Sequence, residues 1–151
     1  MKLALGSDHA GFGLKAVLAA WLRSAAGGRH AVRDVGTFTA ESCDYPDFAF
    51  QVARRVASGG ARRGILICGS GIGMAMAANK IQGVRAAVAW NPETAQLSAE
   101  HNNANVLCLP ARFVDARQAK RMTAIFLKTP FGEGRHRRRV AKIRALDRCG
   151  D

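Results

Sequence analysis

Long hydrophobic runs are absent from this chain. No apolar stretch approaches the roughly 18 residues that a membrane-spanning helix needs, so the sequence predicts no membrane segment. The amino terminus, residues 1–9, turns polar too early to form the apolar centre of a secretory signal peptide. We therefore expect a cytoplasmic protein without a membrane partner.

Cysteine pairs and aromatic residues are also scarce. The four cysteines are Cys43, Cys68, Cys108 and Cys149; they form no CxxC pair, and no histidine spacing completes a zinc-binding pattern. We therefore expect free thiols, no bound metal and no other cofactor. Aromatic residues make up only 7% of the chain, whereas hydrophobic residues make up 48%. This composition predicts an aliphatic core, which favours an α/β protein over an aromatic-rich β-sandwich.

Acidic residues are few compared with basic ones. The 11 Asp and Glu residues face 23 Lys and Arg residues, which gives a formal charge of +12. Part of the excess lies in residues 133–151, which hold seven basic and three acidic side chains. Such a charge raises the question of nucleic acid, and a basic nucleic-acid-binding protein is one alternative function. Because no aromatic or Arg-Gly-Gly repeats are interleaved with the charges, we expect no nucleic-acid partner.

Short apolar runs alternate with longer helical patterns along the 151 residues. This alternation is typical of β-α-β units and a parallel sheet, and the length is typical of one domain. The predicted strands are residues 2–6, 31–35, 64–68, 85–89 and 105–109. The predicted helices are residues 11–26, 46–58, 72–82, 92–102, 115–128 and about 134–148. The expected fold is α/β: a three-layer, Rossmann-like open sheet of five mostly parallel strands flanked by helices, in a single domain of residues 1–151.

Polar residues cluster just past the ends of the predicted strands. In an open parallel sheet, ligands bind beyond the carboxyl ends of the strands. We therefore expect five segments that are distant in sequence to meet at one crevice. They are residues 7–9, 36–37, 68–71, 90–91 and 110–112.

Residues 65–82 carry the strongest functional signal. An apolar run ends in Cys68, and an alanine-rich helical segment follows after a short loop. The residues of interest in that loop and the first helical turn are Gly69, Ser70, Gly71 and Gly73. This order aims backbone N–H groups and the positive end of a helix dipole at one spot, which suits a phosphate or an oxyanion. A thiol at its rim would have its ionised form favoured, which suggests an enzyme. The alternative is a tight turn beside an inert core cysteine.

Three other polar positions have both a functional and a structural interpretation. Asp8 and His9 follow the first predicted strand, where Asp could hold sugar hydroxyls and His a phosphate. An Asp at this place is equally suited to capping the next helix. Tyr45 stands at a helix entry, which is ordinary capping chemistry unless its ring faces the crevice.

Histidine and arginine residues mark two helix ends. His101 ends a predicted helix, where a histidine is often only a favourable partner of the helix dipole. Arg135 and Arg139 lie four residues apart, so that they share a helix face. Two guanidinium groups on one face suit a phosphate dianion, although a solvated basic helix would have the same spacing.

Taken in order, seven segments of the chain resemble the type B ribose-5-phosphate isomerases, in the sugar-phosphate isomerase family that includes the galactose-6-phosphate isomerase subunits. The resemblance extends over nearly the whole chain. The segments are residues 6–11 (GSDHAG), 34–37 (DVGT), 41–47 (ESCDYPD), 67–73 (ICGSGIG), 77–80 (AANK), 101–106 (HNNANV), and 134–136 with 139–140 (GRH and RV). No single segment is decisive, but seven in this order are very specific.

The resemblance implies an isomerase that interconverts ribose 5-phosphate and ribulose 5-phosphate through a cis-enediolate, without a metal. Cys68 would be the base that moves a proton between C2 and C1. A branch of the family that lacks this cysteine uses a glutamate at the position of Met74 in this chain. Ser70 would relay a proton between the two substrate oxygens, and His101 would be the acid that opens the furanose ring. Isomerases of allose 6-phosphate, galactose 6-phosphate or a tetrose phosphate are the alternatives within the enzyme class.

The resemblance also implies how the substrate is held and how the chains assemble. The N–H groups of residues 69–73 would form the anion hole, Asp8 and Asn102 would hold hydroxyl groups, and a phosphate clamp would comprise His9, Arg112, Arg135 and Arg139. The full set of implied substrate-binding residues is Asp8, His9, Tyr45, Gly69, Ser70, Gly71, Gly73, Asn102, Arg112, Arg135 and Arg139. Family members are dimers or dimers of dimers with active sites between subunits. We therefore expect a homodimer, part of the clamp from the neighbouring chain, and the helix at 134–148 at the interface.

Overall fold

Five short apolar segments form a parallel sheet at the centre of the molecule. A computed structural model of the chain describes residues 1–147. Its strands are β1 (Lys2–Ser7), β2 (Ala31–Asp34), β3 (Arg63–Cys68), β4 (Ala86–Val88) and β5 (Val106–Pro110). They lie in the order β2-β1-β3-β5-β4, and every neighbouring pair is parallel. The prediction of an open five-stranded sheet is confirmed, and within residues 1–147 the sheet is parallel throughout.

Six helices follow the strands in this part of the chain. They are α1 (Phe12–Arg23), α2 (Tyr45–Ala57), α3 (Ile72–Ala78), α4 (Pro92–Glu100), α5 (Ala116–Lys128) and α6 (Arg135–Leu146). Pro46 and Pro92 lie in the first turns of their helices, where a missing N–H group costs nothing. Asp115 is the N-cap of α5, and its Oδ1 accepts a hydrogen bond from the Gln118 N–H at 2.7 Å.

Alternate strand residues face opposite layers of helices. One core cluster contains Leu3, Leu5, Ile65, Ile67, Leu107 and Leu109 from the strands, packed with residues of α1, α4 and α5. The other cluster contains Ala4, Leu66, Cys68, Val106 and Cys108 from the strands, packed with residues of α2 and α3. Because side chains alternate between the two faces of a strand, the short apolar runs of β1, β3 and β5 supply both halves of the core.

The three central strands send their helices to opposite faces of the sheet. α1 follows β1 and α5 follows β5 on one face, whereas α3 follows β3 on the other. β3 lies between β1 and β5 in the sheet. The helix that follows β3 therefore leaves toward one face, while the helices that follow its two neighbours leave toward the other face. A crevice at such a point, beyond the carboxyl ends of the strands, is where open α/β sheets bind ligands.

Several elements are shorter than predicted. α3 stops at Ala78 rather than at residue 82, since the Asn79 side chain exchanges two hydrogen bonds with the backbone of Ala86. α4 stops at Glu100 rather than at residue 102, and Asn103 then turns the chain with a φ of +48°. In α1 the last residue is Arg23, and β4 has three residues. The predicted end of the last helix at residue 148, and Cys149, lie outside the described residues.

A buried ion pair links α1 to the end of β2. Lys15 is only 2% exposed, and its Nζ lies 2.6 Å from Oδ2 of Asp34. The other oxygen of Asp34 accepts a hydrogen bond from the Gly36 N–H at 2.9 Å. The Lys15 ammonium also lies 4.8 Å from the centre of the Phe38 ring. These contacts fix the start of the long connection between β2 and α2.

We expect Lys15→Met to lower the free energy of unfolding by about 3 kcal/mol, because it leaves the Asp34 carboxylate without its cation in a largely buried place. Urea denaturation of the purified protein would measure the change. The matched control is Glu133→Ala, which removes the exposed pair between Glu133 and Arg137 and should cost about 0–1 kcal/mol. Equal losses in the two variants would contradict the assignment of Lys15–Asp34 as a structural pair.

Candidate active site

Cys68 is the last residue of β3, and its side chain lies beneath the glycine loop. The Gly71 N–H donates a hydrogen bond to Cys68 Sγ at 3.1 Å. Gly71 has a φ of +77°, a backbone conformation that favours glycine. Cys68 is only 4% exposed, so its sulfur contacts the loop amide and has little contact with solvent. The Gly71 N–H stabilises negative charge on the sulfur through this hydrogen bond. We attribute the stabilisation to this amide and not to a helix dipole, since α3 has only seven residues.

A second thiol, Cys108, lies on the neighbouring strand but in a different environment. It is fully buried within β5 and packs in the same core cluster as Cys68. Burial raises the pKa of the Cys108 thiol, and the nearby Cys68 raises it further. Cys108 is therefore a neutral core residue, whereas Cys68 stands at the end of its strand with a hydrogen-bond donor on its sulfur.

Asp8 and His9 follow β1 and lie beside the end of β3. The Asp8 N–H donates to the carbonyl of Ile67 at 3.2 Å, which extends the sheet beyond β1. Asp8 is 7% exposed, and its Oδ1 accepts from the Gly11 N–H at 3.0 Å, which closes the turn before α1. The N-cap of α1 is Gly11, and no side chain among residues 1–147 caps the start of this helix, so the capping interpretation of Asp8 is wrong. His9 Nδ1 accepts from the Cys43 N–H at 3.2 Å. A neutral His9 ring therefore carries its proton on Nε2, which can donate to an anion.

Arg112 and Tyr45 close over the glycine loop from two sides. The backbone N–H of Arg112 donates to the carbonyl of Gly69 at 3.1 Å. A Cβ atom on Gly69 would lie 3.1 Å from Nε of Arg112, so the guanidinium group packs against the loop backbone. A Cβ atom on Gly73 would lie 2.6 Å from Cζ of Tyr45, so the tyrosine ring covers the first turn of α3. Glycine at these two positions leaves room for the two side chains.

We call these residues the carboxyl-edge cluster, because all of them lie at or near the carboxyl ends of β1, β3 and β5. Its members are Asp8, His9, Tyr45, Cys68, Gly69, Ser70, Gly71, Gly73 and Arg112. Ser70 is partly exposed, and its Oγ accepts from the Ile72 N–H at 3.3 Å. Backbone hydrogen bonds join the segments that follow β1, β3 and β5, so these segments lie side by side at the carboxyl ends of the strands. The carboxyl-edge cluster combines a thiol, loop amides, a carboxylate, an imidazole and a guanidinium group.

His101 and Asn102 lie at the amino ends of the strands, opposite to the carboxyl ends where Cys68 lies. They follow α4, which runs back from the carboxyl end of β4 to the amino end of β5. Val106, where β5 begins, pairs with Gly64, whereas Cys68 pairs with Pro110. The four-residue offset corresponds to about 13 Å along the strand. Asn102 lines a cavity of about 420 Å³ together with Asn79 and Arg85.

Arg135 and Arg139 are exposed on α6 and lie near His101 rather than near Cys68. The link is His136, whose ring stacks on that of His101 with centroids 4.0 Å apart and planes inclined by 10°. The Gly132 N–H donates to the carbonyl of Glu100 at 2.7 Å, which holds the segment before α6 against the end of α4. We call His101, Asn102, Arg135, His136 and Arg139 the amino-edge cluster. Within one chain, the two clusters occupy opposite edges of the sheet.

His136 is the one member of these clusters to which the sequence argument gave no role. Partial burial lowers the pKa of His136, as do the positive charges of His101, Arg135 and Arg139, while Glu100 raises it. No spacing in the sequence indicates the contact between His136 and His101, because only the fold brings α4 and α6 together. The Gly134-Arg135-His136 segment was part of the family resemblance, and that was the available signal.

Residues 1–147 contain neither a membrane-spanning helix nor a cluster of metal ligands. None of the helices there combines the length and the apolar character needed to cross a membrane. The same residues contain no group of three or more His, Cys, Asp or Glu side chains that could hold a metal ion.

Known proteins are similar to this chain in sequence and in fold. The family described as Ribose/Galactose Isomerase matches residues 3–143. Ribose-5-phosphate isomerase B of Escherichia coli is 44% identical over 146 residues, which cover 97% of this chain and 96% of that protein. Ribose-5-phosphate isomerase B of Clostridium thermocellum has a solved structure with a TM-score of 0.94 and 44% identity, covering all of both chains. A structure of the Mycoplasma genitalium enzyme with bound ribulose-5-phosphate has a TM-score of 0.92 and 42% identity, covering 97% of this chain and 96% of that one. This chain belongs to the ribose/galactose isomerase family.

Proposed function

We propose that this chain is an aldose–ketose isomerase that interconverts ribose 5-phosphate and ribulose 5-phosphate. The observation that carries the proposal is Cys68, a thiol at the end of β3 whose sulfur accepts a hydrogen bond from the glycine loop. The relatives named above support the choice of substrate, since they are ribose-5-phosphate isomerases and one holds ribulose-5-phosphate. The expected place of the enzyme is the cytoplasm, in the metabolism of pentose phosphates.

Cys68 is the proposed base of the isomerisation. Its thiolate takes the proton from C2 of the open-chain aldose, the C1–C2 bond becomes double, and negative charge moves to the carbonyl oxygen. Ser70 passes the hydroxyl proton from O2 to O1, and the thiol returns its proton to C1 to give the ketose. Met74, at the position of the glutamate in the other branch of the family, is fully buried in the core and has no acid–base group. Cys68 is accordingly the proton carrier in this chain.

The glycine loop is the proposed site of charge stabilisation. Negative charge develops on the substrate oxygens while the enediolate exists. Backbone N–H groups that are already in place stabilise such charge without reorganising, a term worth roughly 3–4 kcal/mol per donor. The loop is held by Tyr45 over Gly73 and by Arg112 over Gly69, which keeps its amides in a fixed arrangement.

The remaining roles concern ring opening and the phosphate group. His101 is the proposed acid that protonates the furanose ring oxygen, and Asp8 and Asn102 hold sugar hydroxyl groups. A phosphate clamp draws on the carboxyl-edge and the amino-edge cluster, and its members are His9, Arg112, Arg135 and Arg139. Forked guanidinium groups bind a phosphate dianion with charge-assisted hydrogen bonds. The clamp converts remote binding energy into orientation of the reacting carbons.

A homodimer would bring the two clusters together. The carboxyl-edge cluster of one chain holds the base, while the amino-edge cluster, at the other edge of the sheet, holds the acid and two clamp arginines. A two-fold dimer can place the amino edge of each chain over the carboxyl edge of its partner, which completes two identical sites. On α6, Ile143 and Leu146 are 47% and 75% exposed, and a second chain covering this helix would bury them.

Cys68→Ala should lower kcat for ribose 5-phosphate by about 10²–10⁴-fold, because the proton between C2 and C1 loses its carrier. Coupled spectrophotometric assay of ribulose 5-phosphate formation would measure the loss, and calorimetric titration should show that substrate still binds. The matched control is Cys108→Ala, which removes a thiol of the neighbouring strand and should leave kcat within about threefold of the unaltered protein. A fully active Cys68→Ala protein would exclude Cys68 as the base.

Arg135→Ala combined with Arg139→Ala should raise KM for ribose 5-phosphate by about 100-fold or more, since each of the two lost charge-assisted hydrogen bonds contributes roughly 1.5–3 kcal/mol. Steady-state kinetics would measure the change. Arg138→Ala, which removes an exposed cation from the same helix, is the control and should change KM little. Similar KM values in the double variant and the control would remove the two arginines from the clamp.

Mixing two inactive variants tests the dimer. Cys68→Ala and His101→Ala chains, unfolded and refolded together in equal amounts, should regain about a quarter of the original activity, because half of the random dimers contain one intact site of two. Size-exclusion chromatography with light scattering would establish the dimer itself. If each chain carried a complete site, the mixture would stay as inactive as its components.

A further inference from the structure

His136 makes a contact that the proposed mechanism does not use. The chain has four histidines, of which His9 and His101 have proposed roles. His30 lies elsewhere, with its Nδ1 3.2 Å from the amino group of Met1. His136, in the first turn of α6, stacks face to face on His101 with ring centroids 4.0 Å apart. We call His101 and His136 the stacked imidazole pair.

Core packing does not account for the stacked imidazole pair. Both rings are partly exposed, and the buried residue of α6 is Val140 rather than His136. The attachment of the segment before α6 comes from the Gly132 N–H bond to Glu100, which does not involve either imidazole. A contact between two polar rings that contributes little to the core is better explained by the orientation it gives to one of them.

The surroundings of His136 favour its neutral form. The groups that face it are His101 and Glu100 at the end of α4, and Arg135 and Arg139 on α6. Partial burial and the three positive groups lower the pKa of His136, and Glu100 opposes them. A neutral imidazole can stack on the ring of His101 whether or not His101 is protonated, whereas two protonated rings at 4.0 Å would repel each other.

We propose that His136 is a positioning residue for His101. Its neutral ring limits the rotation of the His101 imidazole and holds it in the orientation from which it donates a proton to the ring oxygen of the sugar. The proposal rests on the proposed function of His101 as the ring-opening acid. Since His101 and His136 belong to the same chain, the oriented acid is delivered to the neighbouring chain's substrate as one preformed unit of the proposed dimer.

Substitutions that separate ring shape from charge test the proposal. His136→Ala removes the stacked ring and should lower kcat for ribose 5-phosphate by roughly 10- to 100-fold, the effect of a misplaced catalytic group, with little change in KM. His136→Phe keeps a flat neutral ring and should stay within about threefold of the unaltered protein. His30→Ala, which removes the remaining histidine without a proposed role, is the control and should leave kcat and KM unchanged.

The pH profile gives a readout that a merely structural role would not move. A general acid acts in its protonated form, so kcat of an enzyme that depends on one falls on the alkaline side of the pH profile. His136→Lys places a permanent positive charge beside His101, which disfavours its protonated form, and the alkaline fall should therefore move to lower pH. His136→Phe should leave the fall where it is. An unmoved profile in the lysine variant, or equal loss of kcat in the alanine and phenylalanine variants, would overturn the proposal.

Histidine-ring NMR separates this proposal from the proposed function. In the ¹⁵N-labelled protein, His136→Ala should change the ring signals of His101, whereas His136→Phe and His30→Ala should leave a single ordered His101 ring. If the unaltered protein did not isomerise ribose 5-phosphate, or if His101→Ala were fully active, the proposed function would fail while the NMR result would still report on positioning. If isomerisation required His101 but neither kcat nor the His101 signals responded to His136→Ala, positioning alone would fail.

Discussion

The hydrogen-bond ladder of β3 continues past the end of the strand, and the candidate site depends on this continuation. The carbonyl of Ile67 accepts from Asp8, that of Cys68 accepts from Ala111, and that of Gly69 accepts from Arg112. Loops that follow three different strands are thereby fixed to one another by backbone bonds. The thiol, the carboxylate and the guanidinium group consequently keep their relative positions without any need for contacts between their side chains.

The same parallel architecture places the two clusters of candidate site residues at opposite ends of the strands. Every connecting helix runs antiparallel to the strands, so a residue at the end of such a helix lies at the amino edge of the sheet. His101 is at this edge because α4 ends there, and α6 joins it through the stacked imidazole pair. The proposed base and the proposed acid lie at opposite ends of the strands and cannot act on one small sugar within a single chain, which is the physical reason for proposing that the active form is a dimer.

The fold followed from the sequence because its determinants are local. The apolar runs of β1, β3 and β5, the prolines at helix entries and the Asp115 cap each depend on residues close in sequence. Features set by distant contacts did not follow from the sequence: Asn79 ends α3 early by bonding to Ala86, and the burial of Cys68 is set by the helices packed against its strand. The position of β5 between β3 and β4 likewise has no local signature.

The candidate site was predictable in a different way. Cys68, its glycine loop and Arg112 follow strands in the sequence, and backbone hydrogen bonds bring them together at the carboxyl ends of those strands. The roles of His101, Asn102 and the α6 arginines came from the family resemblance, since neither helix-end position nor charge spacing distinguishes them from ordinary capping and solvated residues. The stacking of His136 on His101 joins residues 35 positions apart, and only the three-dimensional arrangement reveals it.

The hydrogen bond from Gly132 to the carbonyl of Glu100 has a mechanical consequence. It fastens the entry of α6 to the exit of α4, so that both histidines and both arginines of that edge travel as a single rigid body. In the proposed dimer, a small rotation of one subunit against the other would move His101 and the phosphate-binding Arg135 and Arg139 toward or away from the substrate together. Sugar capture and ring opening would then be synchronised by subunit geometry rather than by a mobile lid.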